Sequence, residues 1–116
     1  MTLHDDWFTL RLLDGATLDE PGLYQWHIEG VGSYVGKFKR KSRPLRHYHR
    51  NVRRLLAGLP YRANNPDGFR QIHRELADAV KAGKAIVLTI VENPDLAELN
   101  RRERELIREI GTLNRC

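Results

Sequence analysis

The chain has one cysteine, Cys116, so it cannot close an internal disulfide. One cysteine and five scattered histidines also lack the paired ligand spacing of a structural zinc site, which excludes the metal-stapled mini-domains. Long hydrophobic runs are missing as well, and none approaches the roughly 20 residues that cross a bilayer, so no membrane partner is expected. The segment Met1 to Asp6 has no basic patch followed by an apolar stretch, which leaves a cytoplasmic location as the default expectation. Acidic residues are scarce only locally. Asp and Glu number 15 in the whole chain, yet none lies between Lys37 and Arg54.

That stretch carries charge of the other sign. Lys37, Lys39, Arg40, Lys41, Arg43, Arg46, Arg50, Arg53 and Arg54 fall there, out of 20 Lys and Arg in all, and the formal net charge is +5. A cluster of this kind suits a polyanion, and charge alone does not separate nucleic acid from acidic lipid or from a solvated basic face. At 116 residues, with 41% hydrophobic and 30% charged, the chain fits one domain over 1–116 that buries about two-thirds of its unfolded surface around a single core.

Periodicity predicts the elements. Trp7 to Leu13 reads either as a short strand or as a buried turn of helix, bounded by Asp14-Gly15. Leu23 to Glu29 and Ser33 to Phe38, joined by Gly30-Val31-Gly32, predict a tight antiparallel hairpin. Leu45, Tyr48, Val52, Leu55 and Leu56 repeat at helical spacing, with Pro44 in the first turn and Gly58 and Pro60 ending the run. A second helix carries Phe69, Ile72, Leu76, Ala79 and Val80, and Gly83 closes it. The continuous apolar run Ala85 to Val91 predicts a central strand covered on both faces. Asp95 caps a last helix with Leu96, Leu99, Leu106, Ile107 and Ile110 on its apolar arc, stopped by Gly111. The expected class is α+β: a small mixed or antiparallel sheet, built from the hairpin and a central strand and flanked by three helices in the order β-β-α-α-β-α, with room for an N-terminal strand. The connector from Leu59 to Asp67 reads as the most flexible stretch, either a plain loop or one whose Tyr61, Arg62 and Asn64 touch a ligand.

Some residues do not suit a plain core. At about 100° per residue Glu103 falls inside the apolar arc of the last helix, whereas Glu105 points the opposite way. A carboxylate on the core side needs a cation, which is either a metal ion or the arginine of a structural salt bridge. On the first long helix Arg43, His47, Arg50 and Arg54 form a stripe opposite the apolar face, with Arg43 and His47 one turn apart. An arginine fork clamps phosphate and an imidazole binds or moves a proton, and a charged outer face accounts for the pair equally well. Tyr24 and Tyr34 occupy adjacent hairpin strands, where they are a cross-strand aromatic pair or a pair of reactive phenols.

Taken together these residues resemble the GIY-YIG nuclease family. Gly22-Leu23-Tyr24 stands for the first signature and Tyr34-Val35-Gly36 for the second, with nine residues between the tyrosines. The likeness continues through Lys37, Arg43 with His47, Glu103 and Asn114, and covers about 21–115. It implies an endonuclease hydrolysing phosphodiester bonds, with DNA the expected substrate, through a one-metal mechanism in which Glu103 binds Mg²⁺ or Mn²⁺. Tyr24 is then expected to deprotonate or orient the attacking water with help from the charge of Lys37. Arg43 steadies the developing charge, His47 and Tyr34 position phosphate and water, and Asn114 ties the chain end to the site. The gap from Gly36 to Arg43 is about one residue shorter than the family pattern, so Arg46 is the alternative arginine. Lys37, Lys39, Arg40, Lys41, Arg46, Arg50 and Arg54 are expected to bind the nucleic-acid backbone. A domain of this size reads few bases, so specificity is expected from a dimer or a partner protein. Two other readings compete: a non-catalytic nucleic-acid-binding module using the same basic face, and a protein-interaction domain with a structural Glu103-Arg pair.

Overall fold

The N-terminal stretch resolves to a strand, and it pairs far along the chain. The computed structural model describes residues 7–114, so the expectations about Met1–Asp6 and Cys116 concern residues outside it. Strand β1 (Thr9–Leu12) runs parallel to β4 (Ile86–Glu92), whose other side pairs antiparallel with β2 (Gly22–Ile28). The hairpin partner β3 (Gly32–Phe38) forms the far edge, giving the order β1-β4-β2-β3. The apolar run thus makes a strand hydrogen-bonded on both sides, as its unbroken hydrophobicity predicts. The hairpin closes through Gly30 at a φ of 77°, a left-handed turn position that favours glycine.

The helices divide between the two faces of the sheet. Residues of even number on β2 (Tyr24, Trp26, Ile28) and on β4 (Ile86, Leu88, Ile90) pack against α1 (Tyr48–Leu56) and α2 (Gln71–Lys81). Leu23 and Val35 point the other way and meet Leu99 and Leu106 of α3 (Leu96–Ile110). The class is therefore α+β, a four-stranded mixed sheet between two helices and one. Among the described residues no helix is long and apolar enough to cross a membrane.

Three details differ from the periodic reading. The run into α1 begins as a π-helical turn, Arg43–His47, with Pro44 buried beneath it. A wide turn of this kind at a helix start is a recurrent feature of functional sites. Leu96, expected on the apolar arc of α3, is 66% exposed as the first residue of the helix, and Phe69 precedes α2 rather than joining it. Apart from those three, the 59–67 connector closes into a compact turn. Tyr61 N–H donates to Pro66 O (3.0 Å), while Arg62 and Asn65 exchange backbone hydrogen bonds of 3.3 and 3.1 Å.

Candidate active site

The site is built around the outer strand of the sheet. Tyr24 on β2 stands directly across from Gly36 on β3, and its ring lies over that glycine. A Cβ at position 36 would fall 2.3 Å from the ring's Cζ and its hydroxyl oxygen. The absent side chain is therefore what admits the tyrosine. Gly36→Ala is expected to displace Tyr24 and lower stability by about 1–3 kcal/mol, the usual cost of overpacking, measured by urea unfolding. An unchanged midpoint together with an unchanged tyrosine environment in near-ultraviolet circular dichroism would contradict this packing account.

Beside that pair opens a cleft of about 490 Å³. Six residues singled out in the sequence line it from separate elements: Tyr24 from β2, Tyr34 and Lys37 from β3, Arg43 and His47 from the π-helical turn, and Glu103 from α3. Lys39 and Arg40 complete its rim. Arg46 and Lys41 are exposed and do not line the cleft, and Arg54 donates from Nε to the Pro60 carbonyl (2.6 Å). Between the two candidate arginines the geometry favours Arg43, which also exerts its charge on Tyr24.

Strand parity separates Lys37 from Tyr24. Tyr34 and Gly36 share the Tyr24 face, whereas Lys37, paired with Leu23, projects on the α3 side and donates from Nζ to Asn100 Oδ1. The cations that act on Tyr24 are Arg43 and Arg70. Its hydroxyl is 2.7 Å from that of Tyr48, and Arg70 Nη2 donates to the Tyr48 hydroxyl at 2.6 Å. The Arg70 guanidinium also lies 5.8 Å from the centre of the Tyr34 ring. Burial, at 1% exposure, pushes the Tyr24 hydroxyl pKa upward, more than the Tyr48 hydrogen bond and the two arginines draw it down. Tyr48, equally buried, is pushed well above the usual phenol value for the same reason. Burial thus opposes ionisation of both phenols, and the cations that offset it for Tyr24 are Arg43 and Arg70.

Tyr48 and Arg70 escaped the sequence reading. Tyr48 fell on the apolar phase of α1 and counted as core, although a buried phenol usually finds a hydrogen-bond partner. Arg70 immediately precedes α2, in a connector that periodicity leaves blank.

Glu103 is half-buried, and among the described residues it has no hydrogen-bond or ion-pair partner. Its neighbours on α3 are tied. Arg101 bonds Glu98 and Glu105, and Arg102 bonds Glu105 (2.6 Å) and Glu92 (2.5 Å). The ion pairs of this helix thus consume Glu105 and leave Glu103 facing the cleft. Asn114 lies elsewhere. Its Oδ1 accepts from Val35 N–H and its Nδ2 donates to Val35 O, both at 2.8 Å, so it clamps the chain end along the free edge of β3 next to Tyr34. Two such bonds contribute about 1 kcal/mol each.

Behind the cleft His73 is 4% exposed. Its Nδ1 accepts from Arg70 N–H at 3.0 Å, which leaves the proton of the neutral ring on Nε2. Burial, then the charges of Arg70, Arg43 and Arg74, bring its pKa from 6.5 to about 4. The unfolded chain therefore binds a proton that the folded one refuses, between pH 6.5 and about 4. Stability from this group is complete above that window and falls by about 3 kcal/mol across it as the pH drops. Urea unfolding at both ends of the window should show His73→Gln losing less stability on acidification than the native chain; parallel losses would show that His73 does not set the slope.

No family model matches the chain, and no curated protein or solved structure is significantly similar to it.

Proposed function

We propose that this chain is a metal-dependent endonuclease of the GIY-YIG type, acting on DNA. The observation that carries the reading is a convergence: of the seven residues that the resemblance names, Tyr24, Tyr34, Lys37, Arg43, His47 and Glu103 line one cleft, with Asn114 clamped to β3 outside it, although the chain between Tyr24 and Glu103 passes through two helices and a central strand.

Glu103 is the one carboxylate lining the cleft, and among the described residues no three His, Cys, Asp or Glu side chains gather to form a full metal cage. That donor set suits Mg²⁺ or Mn²⁺. A hard ion of this kind is commonly held by one or two carboxylates and completes its shell with substrate phosphate oxygens and water. Bound by Glu103, it would polarise the scissile phosphate and stabilise the departing oxygen. Arg43 presents a five-donor fork to the phosphate oxygens. The hydroxyl of Tyr24, keeping its proton, orients the attacking water by hydrogen bonding, and the His47 imidazole accepts the proton that this water gives up. Tyr34, under the Arg70 guanidinium, borders the phosphate from β3. Lys37, Lys39 and Arg40 at the rim, with Lys41, Arg46, Arg50 and Arg54 beyond it, supply sequence-independent backbone attraction. We place this activity in the cytoplasm and assign specificity to a second copy of the chain or a partner protein.

A non-catalytic nucleic-acid-binding module is the second reading. The buried, raised-pKa Tyr24 favours it, because a site without a phenolate has less basic power at neutral pH. Supercoiled-plasmid nicking over a Mg²⁺ and Mn²⁺ titration separates the two. Nicking that depends on the metal supports the nuclease, whereas salt-sensitive binding with intact plasmid at every metal concentration supports the module.

A further inference from the structure

The helix segment that lines the cleft also walls a second cavity, of about 310 Å³. Its other walls come from the compact connector, through Tyr61 and Arg62, and from Arg70 with His73 behind it. Arg43, His47 and Arg70 line both cavities, so the second one adjoins the cleft.

Its charge is one-sided. Arg43, Arg50, Arg62 and Arg70 line it with no Asp or Glu among them. The hydrogen bonds of Arg50 and Arg70 go to neutral side chains, Asn51 Oδ1 (3.2 Å) and the Tyr48 hydroxyl, and Arg62 lies 5.1 Å over the Tyr61 ring. Arg43 has no side-chain hydrogen bond among the described residues. The contrast is with Arg101 and Arg102, each held between two carboxylates. Four converging guanidinium groups without a counter-ion repel one another, and an anion seated among them relieves that repulsion. The backbone bonds that close the 61–66 turn, with the Tyr61 ring under the guanidinium, hold Arg62 in position before any ligand arrives.

We infer that this second cavity is a subsite for the phosphate of a nucleotide flanking the one that is cut. Arg50 and Arg62 line this cavity and not the cleft, and Arg62, held in place by its own turn, is the residue that tests it. The assignment rests on the cleft being a nuclease site, but it can be tested without cleavage.

The experiment measures fluorescence anisotropy of a labelled short DNA over a range of salt concentrations, in EDTA, with Arg62→Ala and with Arg11→Ala. Arg11 is exposed on β1, the opposite edge of the sheet from β3, so it removes the same charge from a remote place. Arg62→Ala should weaken binding about tenfold and lower the slope of log affinity against log salt by about one. Arg11→Ala should change neither. Equal losses in both variants, or none in Arg62→Ala, would overturn the subsite. So would binding that depends on Arg62 for phosphatidylserine vesicles with none for DNA, because the cavity would then face a membrane surface. Nicking with Mg²⁺, measured separately on the native chain, keeps the two failures apart: an Arg62 effect without nicking sustains the phosphate subsite and removes the nuclease, and nicking without an Arg62 effect does the reverse.

Discussion

Glu103→Gln should abolish metal-dependent nicking, lowering the rate by about 10³-fold or more while the protein stays folded. Both halves of that expectation follow from the helix. Glu103 has no protein partner among the described residues, so replacing its carboxylate with an isosteric amide breaks no bond of the fold, and unfolding in urea should change by less than about 0.5 kcal/mol. The amide lacks the charge that a divalent ion requires of its one protein carboxylate. Glu105→Gln provides the reverse pattern two residues away. It removes the charge that pairs with both Arg101 and Arg102 and one of the two acceptors they use, yet it lies outside the cleft lining, so nicking should persist. The comparison is made by single-turnover nicking with saturating Mg²⁺ and by urea titration of each variant. Residual nicking in Glu103→Gln equal to that of the native chain would remove the metal assignment, and loss of activity only in Glu105→Gln would transfer it.

Much of this arrangement can be read without coordinates, and the parts that cannot have physical reasons. The hairpin announces itself through two β-branched and aromatic runs around Gly30-Val31-Gly32, and the central strand through an apolar run that no half-exposed strand would carry. Helix phase puts Glu103 on the packed side of α3 because a fixed rotation per residue is a local property. Pairing is not local. Strand β1 has four residues and an exposed pattern, and only its parallel register with β4, more than seventy residues on, makes it a strand. The same limit hid the Arg70–Tyr48–Tyr24 chain, which joins three elements through side-chain tips. The π-helical turn at Arg43–His47 also leaves no periodic trace, since five residues are too few to tell one helical pitch from another. Alternation along β3 sets Lys37 opposite in parity to Tyr34 and Gly36, so its projection on the α3 side, still within the cleft lining, is legible in the strand pattern.

Arg43→Ala should cost about 10²–10³-fold in the rate at saturating DNA, and Arg46→Ala should cost almost nothing there. The two residues are three apart, both basic and both exposed, and the shortened interval after Gly36 makes either one a candidate by counting. Geometry separates them. Arg43 lines the cleft and the second cavity and acts on the Tyr24 hydroxyl, whereas Arg46 lines neither space. Removing Arg43 takes donors away from the phosphate as its charge develops, so the loss belongs in the maximal rate. Removing Arg46 takes one exposed charge from the surface around the nucleic acid. It should raise the DNA concentration needed for half-maximal rate and lower the salt slope by about one. Lysine should rescue poorly at position 43, because a single ammonium cannot reproduce a fork that meets two phosphate oxygens together, and well at position 46, where only charge is needed. Single-turnover kinetics over a range of DNA concentrations resolves the two effects. A rate collapse in Arg46→Ala with Arg43→Ala near native would make Arg46 the catalytic arginine, and would mean that the π-helical turn rotates on binding to exchange the two.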